Sequence, residues 1–534
     1  NTLIESRKTN ALEKGSLSQT RRSTLSWDAK LQATYNKIWD KHYLSATLGV
    51  NASANKSNYE SRSFIGFPSA AFKDPKYAYE QTGNPYFDDN INRLFGIYLS
   101  GNYTYNNVYM VDFTYRRDGS SQFGVDSKFA NFFSAGVGTN FHNMEYFKNN
   151  LPVFNELRLR ANYGQTGNVS YPPYAARTTY EIQTDGWHST GLGATLVAMG
   201  NRNLSWETTH TVNIGLDIAM FNKRLDLEFN WYNKLTKDLI TDVSLPMSAG
   251  FTSYKDNMGE VQNRGFEFSV SYKMIETRDF KASVFANGAR NVGKIKKISD
   301  SMKEYNERVN DHFASTSTST IVFEKPTAKP VLKYEEGGSL TAIYAMPSLG
   351  ISPATGDEVY MDLWGNPTYE WLADHQRIVG NSEPDLHGSF GLNFFWKNFT
   401  VQATFMYQVG ADQYNSTLVE RVENLNYMGF NCDNRIMDLR WHKPGDVAQY
   451  KDVADRTKLT RPTSRFLQRN DYVKFNSFNV TYDFKGEWMK SVGLGILRLS
   501  FNMSDIHTWS KIEIERGLSY PFARTFNLSL NATF

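Results

Sequence analysis

Apolar and polar residues alternate with a period of two through much of the chain, the spacing of strands and not of helices. Leu225, Leu227, Phe229 and Trp231 interleave with Asp226, Glu228, Asn230 and Tyr232. Before them, Val212, Ile214, Leu216 and Ile218 interleave with Asn213, Gly215 and Asp217. Asn222-Lys223 separates the two runs near Phe221 and Arg224, which is the length of a tight hairpin. The same reading pairs 97–105 with 109–115 across Asn106-Asn107, and 390–394 with 399–407 across Trp396-Lys397-Asn398. Phe526, Leu528, Leu530, Ala532 and Phe534 make one more alternating run.

Two architectures fit such strands: a soluble sandwich, propeller or solenoid, or a transmembrane β-barrel with one face in lipid and the other in a wet lumen. The connections favour the barrel. Short turns are expected near 37–42, 106–107, 222–223, 274–278, 396–398 and 485–494. Long, polar, glycine-rich loops alternate with them near 55–93, 165–208, 240–262, 294–338, 411–470 and 505–522. That rhythm is the one of outer-membrane barrels, whose short turns face the periplasm and whose long loops face outward. No repeat of fixed length marks a propeller. Starting at 24–35 the legs number fifteen, or seventeen if 340–344 and Glu358–Met361 form a further pair. The first leg runs downward and the count is odd, so the expectation is a chain that enters in the middle of a barrel, from the extracellular side.

Composition narrows the function. Lys and Arg number 58 against 55 Asp and Glu, a balance that gives no clustered basic surface for nucleic acid. Aromatics reach 15%, high for a soluble enzyme, and the single Cys432 excludes a disulfide scaffold or a cysteine-based zinc site. No apolar run approaches the ~18 residues of a membrane helix, and residues 1–10 lack the layout of an export signal. The nine histidines never take a metal-ligand spacing, and neither a phosphate loop nor a nucleophile elbow occurs. Asp88, Asn90 and Asn92 have the first spacings of a calcium loop, but Arg93 replaces its glycine and Leu99 its closing Glu, so a solvated turn is preferred. Acidic pairs such as Asp88-Asp89 and Glu335-Glu336 read as loop charges. No enzyme activity, cofactor or metal is expected.

Six stretches, in order along nearly the whole chain, resemble the SusC/RagA-type TonB-dependent transporters of Bacteroidetes outer membranes. Tyr115-Arg116-Arg117-Asp118-Gly119-Ser120-Ser121, then Phe123-Gly124, is similar to that family's extracellular "R-x-DGSS-x-F" segment. Leu157-Arg158-Leu159-Arg160-Ala161-Asn162-Tyr163-Gly164-Gln165-Thr166-Gly167-Asn168 resembles "LRLRASYGxTGN", and Asn203-Leu204-Ser205-Trp206-Glu207-Thr208 resembles "NPNLKWE". Asn257-Met258-Gly259 with Asn263-Arg264-Gly265-Phe266-Glu267, Ser464-Arg465-Phe466-Leu467 before Asp471-Tyr472-Val473-Lys474-Phe475, and the closing strand 520–534 complete the match. The resemblance implies that residues 1–534 are the C-terminal share of an all-β antiparallel barrel of about twenty-two strands. The plug domain, the TonB-docking box and the first strands have no counterpart here. The implied function is TonB-dependent import of glycans or peptides through the outer membrane. Implied partners are a SusD-like surface lipoprotein, the TonB complex through the plug, the N-terminal part of the same barrel, and outer-membrane lipid. A non-transporting barrel serving as an accessory or structural subunit of a larger assembly is the alternative, and a secreted glycan-binding or glycan-cleaving β protein a third.

Loop aromatics are the candidates for touching ligand or lid: Trp187 and His188 with Tyr171 and Tyr174 nearby, then Trp364, Tyr369 and Trp371, then Tyr427 and Phe430. Such faces pack on sugar rings or peptide side chains at little entropic cost; they serve equally to pack loops together or to form the interfacial girdle. Arg117, Asp118, Gly119, Trp206 and Glu207 are the rim residues that the resemblance singles out. Gly119, Gly164, Gly167, Gly259 and Gly265 are expected at positive φ or at bulges on the rim. Arg158 and Arg160, and Asp226 and Glu228, are expected to face the lumen, and Phe534 to be a terminal assembly signal.

Overall fold

A computed structural model describes residues 2–4, 15–69, 71, 74–124, 126–169, 171, 173–188, 191–244, 253–314, 329–424, 433–452, 459–516 and 522–533. Its main feature is a 17-stranded sheet. Two of the strands are short segments, Thr2–Ile4 and Glu80–Gln81. The others form a meander: β1 (Ser16–Trp39), β2 (His42–Ile65), β3 (Tyr86–Tyr105), β4 (Tyr109–Ser120), β5 (Phe129–Asn140), β6 (Phe154–Asn168), β7 (Glu207–Met220) and β8 (Leu225–Lys237). It continues through β9 (Glu260–Glu276), β10 (Phe280–Lys297), β11 (Leu386–Trp396), β12 (Phe399–Val409), β13 (Tyr472–Phe484), β14 (Ile496–Ser510) and β15 (Thr525–Thr533). Each pairs antiparallel with the next. Residues Ala342–Ala345 and Glu358–Met361 belong to small separate sheets, so they are not a further pair of legs. The sheet is open among the described residues, with β1 and β15 at its edges.

The short turns lie where the sequence places them, and one more, 141–153, contains the helix Glu145–Asn150. At Asn106-Asn107 both residues take positive φ (51° and 53°), as a two-residue turn matched to strand twist requires. The opposite end carries the long connections. The 55–93 loop is shorter than expected, because β2 runs on to Ile65 and β3 begins at Tyr86. Beyond the lipid both faces of those strands are wet, so the alternation that announces a strand is lost while the ladder continues. β1, at 24 residues, is more than twice the ~10 that cross a bilayer. The 294–338 loop contains a helix, Asp300–Ala314. Among the described residues no helix is long and apolar enough to cross a membrane.

Register fixes the two faces. Leu31, Val50 and Ile97 follow one another across β1, β2 and β3, and Leu159, Leu216, Phe229 and Phe268 do so across β6 to β9. Leu31, Ile97, Leu159 and Phe229 are exposed, as a lipid-facing band demands. The other face carries Asn51, Arg160, Asp217, Glu228 and Asn230. Most of the buried apolar packing instead lies in the connections at the long-loop end, in clusters around Trp206, Phe466 and Phe313.

Candidate functional site

The polar face comes first, because it would line any path through the barrel. Arg160 Nη2 reaches Asp217 Oδ1, Glu228 Oε1 and Asn230 Oδ1, each at 3.1 Å. Arg158 and Asp226 share that face by register, as expected. Further round, Tyr232 donates to Asn291 Oδ1 (3.1 Å), and the Asn291 amide donates to Glu383 Oε1 (2.5 Å). Asn287 and Ser389 are linked at 2.9 Å. The wall is therefore hydroxyl- and amide-rich with balanced charge, able to hydrate and slide a polar solute. Asp88, Asn90 and Asn92 lie along one side of β3, with Asn90 donating to Asp88 at 2.9 Å. An extended strand cannot wrap a cation, so the calcium reading and the turn reading both give way to strand; no metal-binding cluster occurs among the described residues.

At the rim, the expected residues split between tasks. Arg117 and Asp118 are neighbours on a strand and so point to opposite faces. Asp118 accepts from Arg116 Nε (2.7 and 2.6 Å), and Arg116 also reaches Asn51 (2.9 Å). Arg117 lies over the Phe129 ring at 5.5 Å. Trp206 is buried between Phe123 (4.3 Å) and Phe132 (5.7 Å), and its indole donates to Lys128 O (3.4 Å). Glu207 accepts from the Ile240 amide (3.0 Å) and from Asn168 (3.3 Å). Trp206 and Glu207 thus staple three connections together. Of the five rim glycines, Gly259 alone has positive φ (+106°). Gly119, Gly164, Gly167 and Gly265 sit within the ladder, where the absent side chain makes room: a Cβ on Gly167 would lie 2.2 Å from the Phe132 ring.

Above the rim, 329–381, 410–424, 433–452 and 459–471 build a platform that holds three small sheets. Its centre is Arg465, of the Ser464-Arg465-Phe466-Leu467 stretch. Arg465 Nη2 contacts Glu358 Oε2 (2.9 Å) and Glu423 Oε1 (2.5 Å), and all three side chains are buried. Thr463 and Tyr360 donate to Glu358 at 2.6 and 3.2 Å, and the guanidinium lies 4.4 Å from the Phe466 ring. Burial opposes charge on Glu358 and Arg465 alike. Their mutual attraction and hydrogen bonds win, so Glu358 is held below its ordinary 4.5 and Arg465 is pushed above its usual range. Glu358 and Arg465 are 107 residues apart, a spacing no local motif reveals.

The platform sorts the aromatics. Trp371 donates to Pro462 O (3.0 Å) and packs on Phe313 (5.5 Å), so it holds the platform together. Tyr171 is likewise buried, against Phe123. The Tyr174 hydroxyl accepts the Ile91 backbone N–H at 3.2 Å. Trp364 is different: it is 77% exposed, on a hairpin tip where Asp362 Oδ1 accepts the Trp364 and Asn366 amides (2.9 and 2.7 Å). Leu363 and Tyr369 are exposed beside it in sequence. Trp187 and His188 end the strand Thr179–His188 of a small hairpin, their backbones pairing with Leu192 and Gly191. Tyr427, Phe430 and Phe534 lie outside the described residues.

The chain matches the family described as "TonB dependent receptor-like, beta-barrel" over residues 5–417. It is 29% identical to TonB-dependent receptor P3 of Formosa agariphila across 94% of this chain and 51% of that protein. It is 32% identical to TonB-dependent receptor SusC of Bacteroides thetaiotaomicron across 37% of this chain and 20% of that one. In fold it is similar to the RagAB peptide transporter, with a TM-score of 0.78 at 23% identity over 93% of this chain and 53% of that chain. The chain thus spans about half the length of the curated relatives that it matches over most of its own length.

Proposed function

We propose, from the premise that the chain belongs to the TonB-dependent receptor-like β-barrel family and is of the SusC/RagA type, that it forms the wall and outer platform of an outer-membrane importer. The relatives are receptors and transporters, not enzymes, and they reside in the outer membrane. The cargo is an oligosaccharide or a peptide. A plug supplied by a further segment opens under TonB, and a SusD-like lipoprotein closes the extracellular mouth. The observation that carries this reading is the two-faced sheet: an apolar band opposite a continuous polar face, with a built platform standing over that face at one end only. A structural barrel would need neither a charged wall nor a tryptophan that stays 77% exposed, as Trp364 does with its ring in T-shaped contact with His375 (5.3 Å).

The test is intact-mass spectrometry of the complex extracted in mild detergent from its native outer membrane, with each co-purifying polypeptide identified. The expected result is a plug-bearing segment and a surface lipoprotein in stoichiometric amounts. This barrel with unrelated subunits and no plug would overturn the importer reading.

A further inference from the structure

Across the lipid-facing side of β9 to β12 the register sets Val270, Ala286, Phe390 and Phe405 in one row. Ala286 is the low point between larger neighbours. On one side Phe229 stacks on Phe266 (6.0 Å); on the other Phe390 stacks on Phe405 (5.1 Å) and Phe405 on Phe475 (4.6 Å). Between these aromatic ridges runs an apolar groove of about 360 Å³, whose lining also includes Tyr272 and Val284. One row nearer the long loops, Gly288 faces Gly388, and Phe268 and Tyr407 close over Gly288. Beyond that row the same face changes character.

Arg290 follows Gly288 on β10, four residues and about 13 Å along the strand from Ala286. Arg264 on β9 is its diagonal neighbour, since Phe266 pairs with Arg290 and Arg264 with Val292. Both arginines are exposed. Arg264 lies over the Trp231 ring at 5.5 Å, and Arg290 shares the Asp385 carboxylate with Arg469, at 3.6 Å each. Two guanidinium groups therefore stand at the upper border of the lipid band, over an apolar groove, with partial neutralisation. Guanidinium matches phosphate oxygens in a fork geometry, and aromatic girdles mark the depth at which headgroups lie.

We infer that this groove and the Arg264–Arg290 pair form a binding site for one phosphorylated lipid of the outer leaflet. An acyl chain fills the groove beside Ala286, and the headgroup phosphate is held by the two guanidinium groups. The long-loop end carries the arginines, so the lipid belongs to the outward leaflet. The site lies in the middle of the sheet, where every neighbouring strand is present, and it is separate from the polar face.

The full-length protein is extracted from its native membrane, exchanged through mild detergent, and assayed for lipid phosphate and fatty acid per barrel by native mass spectrometry and chemical analysis. One phosphorylated lipid per barrel is expected to survive exchange. Arg264→Glu combined with Arg290→Gln should lower its retention by about tenfold, and Ala286→Phe, which fills the groove, should do the same. Lys30→Gln, on the opposite face, should retain it. Heat-shifted migration on gels reports that each variant has folded; where Ala286→Phe does not fold, the arginine pair decides. Equal retention in wild type and the arginine variant overturns the site, as does bound phosphate without acyl chains. None of these readouts depends on transport, so failure here and failure of the importer reading are separable.

Discussion

Two carboxylates, Glu358 and Glu423, face one guanidinium, Arg465, with almost no water in reach. Removing the cation leaves both acids buried and uncompensated, a cost of about 3–5 kcal/mol. Arg465→Met should therefore loosen the platform while the barrel below keeps its ladder. Limited proteolysis within 410–471, set beside the heat-shifted band of the barrel, measures both at once. Acid acts through the same residues. Glu358 is lower in the folded state than its ordinary 4.5, so its stabilising contribution is complete above that value and is lost as the pH falls through the folded one. Platform protection should fade as the pH falls below the ordinary 4.5 of the carboxyl, and Glu358→Gln should weaken it at neutral pH and flatten that dependence. Trp364 behaves oppositely: its ring is mostly solvent-facing, so Trp364→Ala vacates no core. Capture of ligand or lid should weaken about tenfold, with barrel assembly unchanged. Titration by calorimetry checks it, and wild-type affinity would remove Trp364 from the site. The sequence made Trp364 and Trp371 look alike. What separates them is Pro462, 91 residues from Trp371, whose carbonyl takes the Trp371 indole proton.

At the scale of a strand, position parity sets the solvent. Phe229 on β8 faces lipid, whereas Ser269 on β9 faces the polar side directly opposite Glu228. Phe229→Arg should cost about 2–4 kcal/mol when the barrel folds into vesicles, and Ser269→Arg, beside a carboxylate, near zero. Urea titrations of the two variants in vesicles give the comparison; equal midpoints would mean that the two faces have been assigned wrongly. The same parity explains what could be read in advance. Where lipid wets one face and water the other, as from Leu225 to Trp231, composition alternates and the strand is legible. Where water wets both, as in 55–65 of β2, nothing in composition distinguishes strand from loop. The helices Glu145–Asn150 and Asp300–Ala314 are illegible to the strand period for a related reason: helices outside the lipid, of 6 and 15 residues here, follow no period-two rule. Rim glycines misled in a different way. Glycine in a sequence signals either positive φ or close approach, and at Gly167 and Gly265 the close approach belongs to residues 35 and 25 positions away, Phe132 and Arg290.

For the whole molecule the decisive feature is the pair of sheet edges. Among the described residues, β1 meets only Thr2–Ile4 on its far side, at Ser16–Ser18, and β15 is paired only with β14. Along the remainder of β1 the outward N–H and C=O groups have no ladder partner among the described residues. In hydrocarbon each unsatisfied backbone group costs several kcal/mol, which is why membrane sheets close. The apolar band of β1, with Leu25, Trp27, Leu31 and Tyr35 exposed, shows that this strand nevertheless belongs in lipid. On the importer reading proposed above, further strands close the sheet, and β1 and β15 are the two ladders on which they would pair. These 534 residues produced by themselves should accordingly fail to give a heat-shifted, protease-resistant barrel in vesicles, and should associate through β1 instead. Co-production with the plug-bearing segment should restore both properties. Proline at alternate edge positions of β1 sharpens the test: Lys30→Pro with Gln32→Pro removes two edge donors or two inward ones, according to register, and the closing pair should fail where the donors face the edge. A stable, protease-resistant barrel from these residues alone would mean that β1 and β15 pair with each other, and that the chain needs no further strands to cross the membrane.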